Sequence, residues 1–359
     1  LPAVAEAWDE LIDVGHPGAI FRSAAWLQTW WRQFSDDKEL CIYAATKGTR
    51  LIGALPAYRV ESLLGGQRLR LLGDGAVTSD YLGVIARVDD LRDAAQAIAK
   101  AILSEERDVL LDGLIGSDPL IDALRRRATT SSLLAAACPY LSIDGQGDFK
   151  SWITSRPRGL GAQLQRRRRW LEKQPGFRID VLTDQAEVAA ALPTLWQLHR
   201  ARWALSGGSK ALPDTAVEQF HYESARALAR LGWVRIYVLH ADGRPRAALY
   251  GFERGGRLSY YQMGTDPDWR KRSVGTVILC AALEDAFERG LGEFDFLRGN
   301  EQYKMLFSGL TRPVATLRLA AGVRACTSLH AHRAWRVGAN VVGPRLPLSV
   351  RKRFRSGRQ

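Results

Sequence analysis

At 359 residues the chain is long for one compact core, and two domains are the expectation. Its 46% hydrophobic and 25% charged residues are ordinary for a soluble globular protein, and no apolar run nears the roughly 20 residues a membrane helix requires. The net charge of +13 is concentrated in two segments free of acids, Arg156 to Arg169 with six arginines and Arg324 to Gln359 with nine Lys or Arg, so these are the places to expect phosphates, whether of nucleic acid, anionic lipid or a phosphorylated cofactor.

The elements of the first half begin with a helix at Trp26 to Phe34. Strands follow at Leu40 to Thr46 and Leu51 to Val60, turned by Lys47-Gly48, then at Arg68 to Leu72 and Tyr81 to Ile85. A helix from Asp89 to Ser104 and a strand from Val109 to Leu114 complete the half. Asp144 to Asp148, rich in Gly and Asp, reads as a boundary loop. The expected division is 1–147, 148–322 and a basic tail, 323–359. Past the boundary, Leu160 to Lys173 reads as a helix carrying Arg166 to Arg169. Phe177 to Leu182 alternates as a strand. Helices are expected at Gln185 to Trp203 and from Asp214, a suitable N-cap, to Leu231. Three strands form an antiparallel meander, Val234 to His240, Arg246 to Glu253 and Arg257 to Met263, with Asp242-Gly243 and Gly255-Gly256 as tight turns. A loop, Gly264 to Arg272, leads into a helix from Ser273 to Arg289. The strand Glu293 to Leu297, a short helix at Glu301 to Phe307 and a strand from Val314 to Ala320 end the pattern. The order is β-α-α-β-β-β-α-β-α-β. The first half repeats part of it without alignable residues, as a diverged tandem repeat would.

Four cysteines, Cys41, Cys138, Cys280 and Cys326, lie far apart with no CxxC pair. That argues against a metal site and for a reducing, cytoplasmic compartment. No signal-peptide pattern is visible, but the chain starts at Leu1 without Met, which leaves targeting open.

Several motifs of the second half resemble one family. Tyr260-Tyr261-Gln262-Met263-Gly264, Asp266-Pro267-Asp268-Trp269, Gly275, Phe294-Asp295-Phe296-Leu297-Arg298-Gly299, Glu301 and Tyr303-Lys304 resemble the CelD/BcsL-like branch of the GNAT acyltransferases. Phe21 with Ser23, Trp26-Leu27, Trp30-Trp31, Ser79 to Gly83, Phe220-His221 and Gly232-Trp233 extend the resemblance from about Trp8 to Leu319. The duplicated architecture is also similar to Fem-type transferases, which take aminoacyl groups from tRNA. The resemblance implies an α/β (α+β) fold of two tandem GNAT-like domains, each a mixed, largely antiparallel sheet flanked by helices. It implies transfer from acetyl-CoA or another acyl-CoA to an amine or hydroxyl, the acceptor being a small molecule, sugar or glycan precursor, and a link to polysaccharide biosynthesis. One motif departs. GNAT enzymes hold the coenzyme A pyrophosphate with a Gln/Arg-x-x-Gly-x-Gly/Ala loop, and here Arg272-Ser273-Val274-Gly275-Thr276-Val277 lacks the second small residue.

Donor binding needs free backbone N–H groups at a helix start, which Gly275 and Thr276 offer beside Arg270, Lys271 and Arg272. A solvated basic loop is the competing reading. Only the second half has such a loop, so one donor site per chain is expected. The strand through Gln262, Met263 and Gly264 is placed to hold the acyl carbonyl where it splays from its neighbour. Glu301 is the preferred base, with His199 second. Tyr303 is a proton donor for the leaving sulfur, and Asp295 is either catalytic or a structural carboxylate. Arg202 and Trp203, which share a helical face with His199, and Asp80, Tyr81, Arg298 and Lys304 are candidates for the acceptor side. The four consecutive arginines offer either a solvated helix or a contact with nucleic acid or lipid phosphate. The tail offers a peripheral membrane contact.

Overall fold

The computed structural model describes residues 2–62, 66–75, 77–126, 131–204, 215–299 and 301–320. The first half comprises helix α1 (Pro2–Glu10), α2 (Ala24–Phe34), strands β1 (Lys38–Lys47), β2 (Arg50–Glu61) and β3 (Gln67–Leu71), α3 (Leu91–Glu105), β4 (Asp108–Ile115), α4 (Pro119–Arg125) and β5 (Ser131–Ser142). Then come α5 (Phe149–Thr154), α6 (Leu160–Leu171), β6 (Arg178–Leu182), α7 (Gln185–Ala204) and α8 (Thr215–Ala229). The meander is β7 (Val234–Ala241), β8 (Arg244–Arg254) and β9 (Arg257–Thr265); a 3-10 turn, Pro267–Arg272, separates it from α9 (Val274–Glu288). The chain ends in β10 (Glu293–Asp295), α10 (Gln302–Phe307) and β11 (Leu310–Ala320). The expected α+β architecture is met.

Local chemistry explains most boundaries. Ser23 caps α2, its hydroxyl accepting from Trp26 N–H, and Asp118 with Pro119 starts α4. The two meander turns are made by residue pairs with φ near +60°, Asp242-Gly243 and Gly255-Gly256, as two-residue hairpins of this twist require. Three expectations need correction. Tyr81 has φ +60°, so Tyr81 to Ile85 leaves the extended conformation and makes only isolated bridges, Ile85 with Ala54 and Leu82 with Leu114. The strand expected at Glu293 to Leu297 ends at Asp295, because Leu297 is also left-handed, at φ +54°. The loop after Gly264 contains the last residues of β9 and the 3-10 turn. The N-cap expected at Asp214, Cys326 and the basic tail lie outside the described residues.

The eleven strands of the described residues form one sheet, in the order β1-β2-β3-β4-β11-β5-β10-β9-β8-β7-β6. Two similar halves are visible in the pairing. β1-β2-β3 is an antiparallel run with β4 parallel to β3, and β7-β8-β9 is an antiparallel run with β10 parallel to β9. Each half then takes its next neighbour from the other. β11 lies antiparallel to β4, β5 lies antiparallel to β10, and β5 and β11 pair with each other. The first pattern is drawn from β1 to β4 and the second from β7 to β10, and the sheet interleaves the strands that follow each, β5 and β11.

The halves also share an aromatic core. Trp26 of α2 lies edge-on to Phe220 of α8 at 4.8 Å and to Phe252 of β8 at 5.4 Å. Buried polar groups complete the seam. Arg298 donates from its backbone N–H and from Nε to the Asp80 carboxylate, both at 2.8 Å, and its Nη1 reaches Asp112 at 3.2 Å. One turn earlier, Asp295 accepts from Tyr81 O–H at 2.9 Å, Leu297 N–H at 2.8 Å and Arg312 Nη1 at 3.1 Å.

Candidate functional site

A cleft of about 450 Å³ opens between the C-terminal end of α7, the end of β9, the start of α9 and α10. Arg202, Trp203, Met263, Thr265, Arg270 and Tyr303 line it, together with Ser273, Val274, Gly275 and Thr276. Pro267 and Leu279 complete the wall, which among the described residues contains two cations and no carboxylate.

The cleft exists because β9 and β10 diverge. β10 pairs with β9 only from Arg257 to Ser259, whereas β9 runs on to Thr265. A bulge at Tyr261 sets what the free rim presents, because Tyr250 opposes Gln262 while Gly251 opposes Tyr260. The extra residue reverses the alternation. Tyr260 and Met263 therefore both join the core that packs under α9, and Thr265 contacts the start of that helix. Gly264 turns the other way, against α7. A Cβ there would sit 2.5 Å from the His199 backbone nitrogen and 2.7 Å from the Leu195 carbonyl oxygen. That close approach brings the last turn of α7 over the rim.

At this junction the Met263 carbonyl accepts a hydrogen bond from His199 Nδ1 at 3.3 Å and a longer one from Arg202 Nη1 at 3.4 Å. A carbonyl only accepts, so the Nδ1–H tautomer of His199 is selected. Burial, then Arg202 and Arg200, lower the His199 pKa to about 4, against the Met263 carbonyl, which favours the protonated ring. The imidazole is neutral at pH 7. Across the cleft, the Tyr303 and Tyr260 hydroxyls are 3.1 Å apart. Burial, followed by the Tyr260 hydroxyl, raises the Tyr303 phenol well above its ordinary value, so it stays protonated.

The α9 terminus supplies the anion-binding end. Ser273 holds a left-handed conformation at φ +55° and gives its carbonyl to the Thr276 and Val277 N–H groups. Its side chain does not cap the helix, and the first-turn N–H groups of Val274 and Gly275, two residues of the cleft wall, have no intrahelical acceptor. A Cβ on Gly275 would lie 3.1 Å from Thr265 Cγ2 and 3.3 Å from Met263 Sδ, so the glycine lets α9 settle against β9.

The sequence-derived candidates thus separate into three groups. Met263, Arg270, Gly275, Thr276, Arg202, Trp203 and Tyr303 line the cleft. His199, Gln262 and Gly264 border it from α7 and β9, while exposed Lys271 and Arg272 stand outside; Arg272 stacks over Trp170 of α6 at 3.9 Å. Asp80, Tyr81, Asp295 and Arg298 belong to the seam between the halves. Asp295 has no exposed surface, and burial raises its pKa to about 6 despite the Leu297 and Arg312 bonds. Lys304 joins seam and cleft rim. Its buried ammonium donates to the Arg298 carbonyl at 3.2 Å and lies 3.1 Å from the half-exposed Glu301 carboxylate, which precedes α10. Two residues escaped the sequence reading. Thr265 lines the cleft beyond the bulge, and Arg312, which holds Asp295 and Glu293, carried the signal of a cation inside an apolar strand.

No helix among the described residues is long and apolar enough to cross a membrane. Residues 159–305 match the family model described as an acetyltransferase (GNAT) domain. No curated protein matches the sequence. Solved structures are similar over most of the chain. FemX gives a TM-score of 0.61 at 10% identity, covering 87% of this chain and 95% of that one. L-PGS from Bacillus licheniformis gives 0.56 at 13%, covering 90% and 92%. A conserved protein of unknown function from Bacteroides thetaiotaomicron gives 0.56 at 9%, covering 89% and 98%.

Proposed function

Because this chain belongs to the GNAT superfamily through residues 159–305, we propose that it transfers an acyl group from acyl-CoA to an amine or hydroxyl of a small molecule, sugar or glycan precursor. The observation that carries this reading is the cleft itself, which gathers the α9 terminus, the free rim of β9 and Tyr303 around one space. In this reading the Val274 and Gly275 N–H groups and Arg270 hold the donor pyrophosphate. The rim of β9 near Met263 holds the thioester carbonyl, where oriented backbone donors oppose charge growing on oxygen. The acceptor enters beside Arg202 and Trp203. Neutral His199 and Glu301 are the bases available to take its proton. The departing thiolate, whose conjugate acid has a pKa of about 8.5, needs only a hydrogen bond from Tyr303.

A second reading keeps the transfer and changes the carrier. The similarity to FemX spans 87% of the chain, well beyond the acetyltransferase domain, and it favours an aminoacyl-tRNA donor of the Fem type.

The two are separated by thermal shift with acetyl-CoA, longer acyl-CoAs and free coenzyme A. A ligand at 100 times its Kd adds about 2.7 kcal/mol of stability. A shift with acyl-CoA that disappears in Gly275→Asp, where a carboxylate replaces the bound phosphate, supports the first reading. In Tyr303→Phe the shift remains while kcat falls by about 10- to 100-fold. No shift with any coenzyme A compound sinks the acyl-CoA donor.

A further inference from the structure

Six cations around α6 take no part in any ion pair with a described residue, and they adjoin one another. Taking 100° per residue, Arg166, Arg169, Trp170 and Lys173 fall on one face of α6 and the turn that closes it. The opposite face is the packed one, with Leu160, Leu164 and Leu171 all buried. Arg168 lies to that side and pairs with Glu284 of α9 at 2.8 Å and with Glu172 at 3.5 Å. On the outer face Arg169 reaches only the Gln165 amide oxygen at 3.5 Å, and Arg166 and Lys173 are exposed. The ridge does not stop at α6. Trp170 packs against Trp269 of the 3-10 turn at 5.7 Å, and Arg272 lies over the Trp170 ring at 3.9 Å. Lys271 and Arg270 follow, and Arg270 is already a wall of the cleft. One exposed acid, Asp268, stands against the three cations of that turn.

We propose that this ridge docks the phosphodiester backbone of an RNA whose end reaches the lip of the cleft. Arg166, Arg169 and Lys173 line no part of the cleft, so a pyrophosphate seated at α9 leaves them without an anion. They span about 10 Å of helix axis before the turn adds its own three charges, a length that suits a polymer. Among the described residues the face exposes no large apolar side chain to a lipid layer: the α6 leucines are buried, the half-buried Trp170 lies beneath Arg272, and none of the exposed large hydrophobic residues lies on α6 or the turn. RNA fits the cleft's chemistry because its terminal ribose offers hydroxyls that can accept or carry an acyl group. Binding to the ridge stands apart from the donor assignment; only the position of the RNA end rests on it.

The test is fluorescence anisotropy of labelled bulk tRNA with the full chain, between 50 and 300 mM KCl. If all six cations meet phosphates, log K falls against log salt with a slope of roughly −4 to −5. Arg166→Glu/Arg169→Glu/Lys173→Glu should weaken binding at least 100-fold and remove about half the slope, with an unchanged melting temperature and far-UV circular dichroism. Equal binding by wild type and the triple variant overturns the proposal and moves any affinity to another surface, such as the basic tail. Absence of tRNA binding overturns it too. If vesicles of phosphatidylcholine and phosphatidylglycerol are bound in its place, the partner is a membrane.

Discussion

A carboxyl group with no exposed surface, held between a phenol, a backbone N–H and a guanidinium, has to choose its proton differently from one in water. Asp295 does so with a pKa raised from 3.8 to about 6, chiefly by burial. Between those values the folded protein holds a proton that the unfolded chain has released, so stability falls as pH rises. The contribution is complete below pH 3.8 and gone above about pH 6. His199 and His221 act in the opposite sense. Burial lowers them to about 4 and about 3, so their contribution is present above pH 6.5 and is lost as pH falls through those values. Urea denaturation of wild type and Asp295→Asn from pH 3.5 to 7.5 separates the two effects, since the histidines titrate in both proteins. The stability advantage of wild type over the variant should shrink as pH rises from about 4 to 6. A difference that is flat across that range shows that Asp295 keeps its charge in the fold. Asp295→Ala, which leaves the Tyr81 O–H and Leu297 N–H without their acceptor while Arg312 keeps Glu293, should cost about 1–3 kcal/mol at pH 7. In sequence, Asp295 stood out as an acid between two phenylalanines. Its partners are more than 150 residues away in one direction and on the last strand in the other, so whether it reacts or holds the seam was not legible there.

The cleft depends on how closely α7 and α9 approach β9, and two glycines set those distances in different ways. At Gly264 the obstacles to a Cβ are backbone atoms of α7, 2.5 and 2.7 Å away, which cannot step aside. At Gly275 they are the ends of the Thr265 and Met263 side chains, at 3.1 and 3.3 Å, which can. Gly264→Ala should therefore lose about 1–3 kcal/mol and lift His199 and Arg202 from the Met263 carbonyl. Gly275→Ala should lose less. Thermal melts of both variants measure the order, and a reversed order would mean that α7 is not seated on β9 as described. The meander itself was legible because Asp242-Gly243 and Gly255-Gly256 announce hairpin turns and the strands alternate between them. The bulge at Tyr261 was not, since one extra residue changes parity without changing composition. β5 was missed for a related reason. Ser131–Ser142 is a run of small and apolar residues without alternation, and the strands on both sides of it come from the far end of the chain.

At the scale of the molecule, the exchange of last strands makes each half incomplete without the other. Residues 1–147 alone lack β11, which separates β4 from β5, and residues 148–359 alone lack β5, which covers β10. The aromatic core from Trp26 to Phe252 would be divided as well. Expressed separately, the two pieces should each fail to melt cooperatively and should be cut rapidly by protease, whereas co-expression should restore a protected complex. A piece 1–147 with a sharp, protease-resistant transition would show that β11 is dispensable to the first half. The tandem order was visible from the sequence, because helix and strand signals recur along it; the exchange was not, because pairing partners leave no mark on either strand alone. The same arrangement sets a clock during synthesis. β5 closes at Ser142, but β11 ends at Ala320, nearly 180 residues later. At roughly 5–20 residues per second a ribosome takes about 10–35 s to make the difference. For that interval the nascent first half carries β4 with an uncovered edge, which makes it the stage at which this chain most needs a chaperone.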